Sequence, residues 1–230
     1  MDGKIKEFVE LAHIFENNGF HLYLVGGTVR DYLLKLPLND MDAVSDATPD
    51  EIVSFLSPID GTFKRFGSLK YKTANGLKFD ITTLRQESGY IDARHPQNVT
   101  FVRDLKLDYP RRDFTVNALY MDKDLKVYDY VNGRQDLSNR LLKMVGDPEQ
   151  RIKEDPLRIL RAIRFHLVYR LAIDDSLFKA MKNNFSLLKN VTDAKIKSEL
   201  AKLNEYAVDE NEKNKIFSQF GIANLVGVIK

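Results

Sequence analysis

Two aspartates separated by a single residue, Asp40 and Asp42, are the side chains of this sequence most suited to chemistry. Residues i and i+2 of an extended segment point to the same side, so the two carboxylates come within reach of a shared cation. Such a pair repels itself unless a cation is present, and hard oxygen ligands suit Mg²⁺. The alternative is a solvated loop after Pro37, where aspartates are common. The spacing therefore makes Asp40 and Asp42 candidate metal ligands, with Mg²⁺ as the expected ion.

A glycine pair, Gly26 and Gly27, precedes the aspartates and directly follows the apolar run LYLV at 22–25. A strand that ends in glycine and continues into a helix near Thr28 turns backbone N–H groups and the positive helix end toward the turn, which suits phosphate. Without Cβ atoms, the backbone can approach such a ligand closely. A tight strand-to-helix turn without a ligand is the alternative for an isolated pair. The glycine turn and the paired carboxylates together favour a phosphate and metal site.

The composition is that of an ordinary globular protein, with 43% hydrophobic and 30% charged residues in a chain of 230. This length allows one or two domains. A formal net charge of +2 excludes a protein that binds nucleic acid through bulk charge alone, so any basic patch must be local. The sequence has no cysteine, which excludes disulfides and thiolate metal sites and fits the reducing cytoplasm. Because no run of about 18 apolar residues occurs, we expect no membrane span.

The elements that must position these residues change character near residue 147. The first 20 residues have the apolar period of an amphipathic helix, and turn residues then separate short β-branched and aromatic runs. After Asp147 the apolar period is almost wholly helical. We therefore predict an α/β (α+β) domain with a mixed sheet over residues 1–146 and an all-helical domain over residues 147–230. The predicted strands are LYLV at 22–25, FKRFGSLKY at 63–71, KFDITTLR at 78–85, VTFVRD at 99–104 and KVYDYVN at 126–132.

Arginines are concentrated in two further motifs, RRDFTVNAL at 111–119 and EDPLRILRAIRF at 154–165. The fixed fork of donors on arginine matches phosphate or base edges, although a structural Arg–Asp pair explains the first motif equally well. In the second motif Pro156 suits a first helical position, so Asp155 and Arg158 share a helix face. The alternative makes Asp155 an N-cap and the arginines a solvated stripe opposite the apolar core. That core would consist of Leu157, Ile159, Leu160, Ile163 and Leu167.

Several motifs in a fixed order resemble those of one known family. They are GGTVRD, DMD, ATPDEI, TTLRQESGYIDARHPQNVTF, RRDFTVNALYM, VNGRQDL and EDPLRILRAIRF, between about residues 20 and 170. Together they look like the class II tRNA nucleotidyltransferases, the CCA-adding enzymes, and their relatives the bacterial poly(A) polymerases. The resemblance implies a nucleotidyltransferase head over residues 1–146 and a nucleotide-selecting helical neck over residues 147–230.

The resemblance implies transfer of CMP and AMP from CTP and ATP to the 3′ end of tRNA, with release of pyrophosphate and dependence on Mg²⁺. Asp40 and Asp42 would be the catalytic metal ligands, and Asp80 aligns with an acidic position of the family. Asp80 could therefore supply a third carboxylate, or it could be an edge-strand aspartate that faces water. The nucleotide-binding residues implied are Gly26, Gly27, Arg30, Arg112, Asp155, Arg158, Arg161 and Arg164, with the last two directed toward the triphosphate.

Base selection follows from the hydrogen-bond chemistry of Asp155 and Arg158. Cytosine and adenine both present an amino donor beside a ring-nitrogen acceptor, whereas guanine and uracil reverse that polarity. An acceptor beside a donor therefore accepts C and A and rejects G and U. A charged group left unpaired against the wrong base costs at least ~1–3 kcal/mol, which corresponds to roughly tenfold or greater discrimination.

Three features bear on which activity to expect. The segment 85–109, with Tyr90, Asp92, Arg94 and His95, resembles the flexible loop of the family, and its length favours addition of the terminal adenosine as well as the cytidines. Family members continue into further helical domains that bind the tRNA elbow, whereas this sequence ends at Lys230, so we expect weak binding of whole tRNA. Poly(A) tailing and a nucleotide- or RNA-binding module without turnover are the alternatives. We assign no chemistry to His13, His21, His95 and His166.

Overall fold

The computed structural model describes residues 2–90 and 96–222, which fall into two compact units. The first contains the chain through Gly89 together with Pro96–Arg134, and the second contains Tyr90 and the chain from Gln135. This division lies upstream of the predicted boundary at residue 147. Residues 135–146 belong with the second unit because their strand Leu141–Leu142 pairs in parallel with Ala172–Ile173.

A mixed sheet forms the centre of the first unit. Within the described residues it has seven strands in the order β3-β4-β5-β2-β1-β8-β9, and β2 pairs with β5 in parallel. Strands β6 and β7 form a separate two-stranded sheet. Each described part of the predicted flexible loop therefore begins with one of these two paired strands. Asp92, Arg94 and His95 of that loop lie outside the described residues. The strands are β1 Leu22–Val25, β2 Met41–Ser45, β3 Ile59–Asp60, β4 Ser68–Lys72, β5 Lys78–Thr83, β6 Arg85–Tyr90, β7 Pro96–Phe101, β8 Leu119–Met121 and β9 Val127–Asp129.

The predicted strands are present, but all except LYLV begin or end at other residues than predicted. LYLV matches β1 at both ends, whereas FKRFGSLKY divides into a 3-10 turn at Lys64–Phe66 and strand β4. The division falls at Gly67, which adopts a left-handed conformation with φ +80°. Extended pairing cannot continue through such a residue, and glycine adopts this conformation without steric cost.

Helix α1 covers one face of the sheet with an apolar stripe. The apolar period of the first 20 residues predicts this helix, and its stripe packs with Leu24, Ala43 and Ile81. The next residue along each of two strands, Val25 and Val44, belongs to a second cluster on the opposite face. Since alternate strand residues share a face, Asp42 lies on the same face as Val44. The helices of this unit are α1 Gly3–Asn17, α2 Gly27–Leu33, α3 Pro49–Phe55 and α4 Leu105–Asp108, and α5 Gly133–Ser138 spans the division between units.

The second unit is built from helices and one short parallel strand pair, β10 Leu141–Leu142 and β11 Ala172–Ile173. The prediction of an all-helical segment after residue 147 therefore needs one correction, at β11. The five apolar residues predicted as the core of EDPLRILRAIRF are all buried. No helix in the described ranges is both long and apolar enough to cross a membrane. The helices are α6 Pro148–Glu154, α7 Leu157–Tyr169, α8 Asp175–Asn184, α9 Asp193–Ala201 and α10 Glu210–Phe220.

Candidate active site

A cleft of about 460 Å³ opens in the first unit, on the sheet face that carries Asp42. Its lining combines carboxylates from β2 and β5 with guanidinium groups from Arg85 and from the RRDFTVNAL motif. The lining residues are Val25, Gly26, Asp42, Ala43, Val44, Phe63, Phe66, Ser68, Asp80, Thr82, Arg85, Arg111 and Arg112.

The glycine turn and the aspartate pair are joined by one hydroxyl group, that of Thr28. Its Oγ1 donates to the backbone carbonyl of Asp40 at 2.9 Å and accepts from the backbone N–H of Asp42 at 2.9 Å. Thr28 is buried in the first turn of α2, which begins at Gly27. The first turn of this helix therefore fixes the backbone of the carboxylate pair.

Gly26 has a backbone that only glycine adopts without strain, with φ +62° and ψ −126°. A Cβ atom there would lie 3.9 Å from the Nη1 atom of Arg112, which also lines the cleft. Gly27 is in the helix, and a Cβ atom there would meet the Arg30 guanidinium at 3.4 Å. The predicted strand-to-helix turn is therefore present, and a phosphate ligand on it stays a prediction.

Asp42 is surrounded by other negative charge. Burial raises its pKa to about 6, and the carboxylates of Asp40 and Asp80 add to the rise, while Arg112 and Arg30 oppose it. Asp42 and Asp80 are direct partners in the parallel pairing of β2 with β5. A bound cation would relieve this repulsion and keep Asp42 ionised, so these oxygen donors fit a hard divalent ion.

Asp80 lies on an interior strand, since β5 has β4 on one side and β2 on the other. The alternative that Asp80 lies on an edge strand is therefore wrong, although its side chain does face water as that alternative expected. Its half-exposed carboxylate pairs with the Lys70 ammonium at 2.8 Å. Among the described residues, no three Asp, Glu or His side chains are grouped closely enough to hold a metal ion. A third metal-binding carboxylate at Asp80 stays a prediction.

The basic side of the cleft is organised by Asp108, which is fully buried. Its carboxylate accepts from Arg111 Nε at 2.8 Å and from Arg112 Nη2 at 3.0 Å. It also accepts from the Tyr120 hydroxyl at 2.7 Å and the Arg85 backbone N–H at 3.0 Å. Burial opposes ionisation, but Arg112 and Arg111 together with these hydrogen bonds lower the pKa of Asp108 to about 2. One carboxylate therefore positions three of the residues that line the cleft.

Arg112, predicted to face the nucleotide, lines the cleft, whereas Arg30 has buried internal partners. Arg30 Nη1 donates to the Asn117 side-chain oxygen at 2.7 Å, and its guanidinium pairs with Asp31 at 2.8 Å. These bonds connect α2 to the RRDFTVNAL segment. Direct contact of either arginine with a nucleotide stays a prediction.

The predicted arrangement of Asp155 and Arg158 needs correction. Helix α7 begins at Leu157, and Asp155 lies in the break after α6 with an extended backbone, φ −148°. A residue that precedes proline is disfavoured in the helical conformation, so Pro156 breaks the helix and the two side chains share no helix face. Asp155 Oδ1 accepts from the Leu157 N–H at 3.1 Å, but the N-cap of α7 is Pro156, so the alternative that makes Asp155 the N-cap is also wrong.

The arginines of α7 are not a solvated stripe. Arg158 is buried, and its Nη1 donates to the carbonyl of Arg151 and pairs with Glu154 at 3.3 Å. Arg164 is also buried, and its Nε donates to Glu199 of α9 at 2.6 Å. Half-buried Arg161 has its guanidinium carbon 5.9 Å from the ring centre of Phe165. Contacts of these arginines with a triphosphate stay predictions.

The described histidines make local contacts. His13 meets Glu16 at 3.2 Å, His21 meets Asp46 at 2.8 Å, and His166 Nδ1 meets the carbonyl of Leu171 at 2.8 Å. That these three histidines have no chemical role stays a prediction.

Sequence reasoning missed four contributors to the cleft: Thr28, Lys70, Arg85 and Asp108. The spacing of Asp108 to Arg111 and Arg112, three and four residues, is the helical signal that could have revealed its role. No local pattern marks Lys70 or Arg85, because each acts on a residue from another strand or turn.

Residues 22–143, more than half of the chain, match the family model described as the poly(A) polymerase head domain. The chain is 43% identical over 188 residues to the CCA-adding enzyme of Staphylococcus epidermidis and 42% identical to that of Staphylococcus haemolyticus. In both cases the match covers 82% of this chain and 47% of the relative. The chain therefore spans about half the length of these curated relatives.

Solved structures with the same fold include two complexes. One is the Bacillus stearothermophilus CCA-adding enzyme in complex with CTP, with a TM-score of 0.81 and 30% identity over 88% of this chain and 49% of that chain. The other is the Thermotoga maritima CCA-adding enzyme complexed with tRNA-CCA, with a TM-score of 0.77 and 25% identity over 96% of this chain and 52% of that chain. The predicted fold class is confirmed.

Proposed function

Because the chain belongs to the poly(A) polymerase head-domain family, we propose that it is a nucleotidyltransferase that adds C, C and A to the 3′ end of tRNA. CTP and ATP would supply the nucleotides, and pyrophosphate would leave. The observation that carries the proposal is the cleft within the matched residues, where Asp42, Asp80 and three arginines line the same space and the charges of Asp40 and Asp80 raise the pKa of Asp42. Such a site suits a triphosphate bound with divalent ions.

Each part of the cleft has a task in this proposal. Asp40 and Asp42 would hold Mg²⁺, which supplies activation of the attacking 3′-hydroxyl and charge compensation for the leaving pyrophosphate. Arg85, Arg111 and Arg112 would neutralise phosphate charge as the bond to the α-phosphorus breaks. Phosphoryl transfer chiefly requires such placement and charge, and the buried contacts of Thr28 and Asp108 hold both sides of the cleft in place.

Asp155 and Arg158 would select the incoming base in the second unit. Asp155 presents acceptor oxygens, and Arg158 carries five N–H donors. The Nη1 atom of Arg158 makes the protein contacts described above. We expect Arg158→Ala to relax the choice of C and A over G and U by roughly tenfold before turnover is lost. Competition between CTP and UTP for one RNA end measures this. Unchanged discrimination would refute the assignment.

Poly(A) tailing is the second candidate within the enzyme class, because the family model that matches residues 22–143 is that of a poly(A) polymerase head domain. A nucleotide- or RNA-binding module without turnover is the third candidate. The acidic pair Asp40 and Asp42 disfavours such a module, since a site that only binds phosphate gains nothing from carboxylates that repel it.

The deciding experiment incubates the chain with Mg²⁺ and a tRNA that ends before CCA. Labelled CTP, ATP, GTP and UTP are supplied separately and then together, at low salt because phosphate contacts weaken as salt rises. Addition of two cytidines and then one adenosine supports the proposal, and long A tracts identify a tailing enzyme. Absence of incorporation, with tRNA and CTP still bound, would leave the binding module.

A further inference from the structure

Two large aromatic side chains are exposed on the wall of the cleft. Phe63 and Phe66 are 51% and 50% exposed, and both line the space that contains Asp42 and Asp80. Two exposed rings on the wall of one charged cleft form a candidate contact surface for another molecule. The function proposed above assigns them no task.

The two rings lie at the two ends of a hydrogen-bonded turn. The Phe66 N–H donates to the Phe63 carbonyl at 2.9 Å, and the Gly67 N–H donates to the Lys64 carbonyl at 2.9 Å. Arg85 Nη1 donates to the Phe66 carbonyl at 2.8 Å, which ties the turn to the basic side of the cleft. The backbone that carries the rings is therefore hydrogen-bonded both within the turn and to Arg85.

Two basic residues separate the rings in the sequence Phe63-Lys64-Arg65-Phe66, and the Lys64 ammonium pairs with Asp50. The guanidinium carbon of Arg65 lies 4.5 Å from the ring centre of Phe66, and Arg65 is exposed. Exposed aromatic rings interleaved with positive charge are characteristic of surfaces that bind single-stranded nucleic acid, where bases stack on the rings and cations contact the backbone. An apolar protein partner would not explain the exposed guanidinium of Arg65 beside these rings.

We propose that Phe63 and Phe66 form a stacking platform for the last unpaired bases of the RNA 3′ end that accepts the nucleotide. This inference rests on the proposed function. The acceptor is the suitable occupant because stacking does not distinguish bases, and the terminal base of the acceptor changes after each addition. The incoming base must instead be discriminated, which requires hydrogen-bonding groups that these rings lack.

The test uses a short RNA hairpin that ends in an unpaired 3′ 2-aminopurine, whose fluorescence is quenched by stacking. Phe66→Tyr keeps the ring, whereas Phe66→Leu keeps apolar bulk without a ring. We expect quenching with the wild type and with Phe66→Tyr, and loss of quenching with Phe66→Leu. The Kd for the hairpin should rise roughly five- to 150-fold in Phe66→Leu, since one base–aromatic stack is lost. Phe63→Leu should show the same direction.

Tyr206, another exposed aromatic residue at 39%, does not line this cleft and provides the matched control Tyr206→Leu. This control should leave quenching and the Kd for the hairpin unchanged, and circular dichroism establishes that each variant is folded. Quenching of wild-type strength in folded Phe66→Leu would overturn the platform, and so would absence of quenching with the wild type. It would also be overturned if Phe66→Leu bound CTP more weakly but bound the hairpin with unchanged affinity. Because the readout is binding, nucleotide incorporation measured in the same samples tests the proposed function separately.

Discussion

In the first unit Asp42 lies beside two other carboxylates, whereas in the second unit buried Arg164 lies against an opposite charge, Glu199. The first arrangement costs free energy in the absence of a cation, because burial and like charge both oppose ionisation of Asp42. The second is internally neutralised, and Glu199 has a lowered pKa despite its burial because Arg164 is adjacent. Repelling charges kept together indicate a site for a ligand, and paired charges indicate a structural role.

The cleft also contains the second kind of arrangement. Asp108 pairs with Arg111 and Arg112 on its basic side, whereas on the acidic side the charges of Asp40 and Asp80 raise the pKa of Asp42. Substitutions in each arrangement should therefore separate loss of activity from loss of stability.

The largest effect is expected from Asp42→Asn. We expect incorporation to fall by roughly a thousandfold or more, because loss of a metal ligand removes several kcal/mol of transition-state stabilisation. Stability should not fall, because the variant removes a repelling charge. Single-turnover incorporation and a thermal melt measure the two effects, and Asp124→Asn, a highly exposed aspartate outside the cleft lining, is the control. Asp42→Asn with full activity would refute the metal assignment.

Glu199→Ala should have the largest effect on stability. Removing one member of a buried ion pair leaves Arg164 unpaired, which typically costs ~3–5 kcal/mol of unfolding free energy. Urea denaturation measures it. The control is Glu210→Ala, which breaks an exposed pair with Lys213 and should cost less than ~1 kcal/mol. Adding Arg164→Met to Glu199→Ala should recover stability, and equal losses in the two single variants would contradict the structural role of the buried pair.

Asp108→Asn should affect both properties by an intermediate amount. The lost charge weakens hydrogen bonds to Arg111 and Arg112, so we expect ~1–3 kcal/mol of destabilisation and a higher KM for CTP. Because the pKa of Asp108 is lowered to about 2, its contribution is complete above the unfolded pKa of about 4 and disappears as pH falls toward 2. The wild type should therefore lose its advantage over the variant in that window. A constant difference between the two across pH 2–4 would show that Asp108 does not act through its charge.

The smallest effect concerns pH and Mg²⁺ at Asp42. Its pKa is raised from 3.8 to about 6, so the folded state binds this proton more tightly than the unfolded state. Stability of the wild type should fall relative to Asp42→Asn as pH rises from about 4 to about 6, and the difference should then stay constant. Mg²⁺ at pH 7 should raise the Tm of the wild type more than that of the variant. If Mg²⁺ raised the Tm of the wild type and of Asp42→Asn equally, that result would contradict a cation bound at this position.

Much of the fold could be predicted because local pattern determines it. The apolar period of α1, the strand β1 and the five apolar residues of α7 follow from helical and strand spacing alone. The predicted ends of a strand and of a helix were wrong where a single residue interrupted the pattern. Gly67 divides one predicted strand, and Pro156 forces Asp155 out of the helix it was expected to begin.

The sequence alone determined the glycine turn, the carboxylate pair and the order of motifs that places this chain in its family, since these depend on spacing between neighbours. Only the tertiary structure decided that Thr28 joins the turn to the aspartates and that Asp108 holds the arginines. It also decided that Asp80 lies directly opposite Asp42 on the neighbouring strand. These contacts depend on strand order and burial, which bring distant residues together and change the cost of their charges.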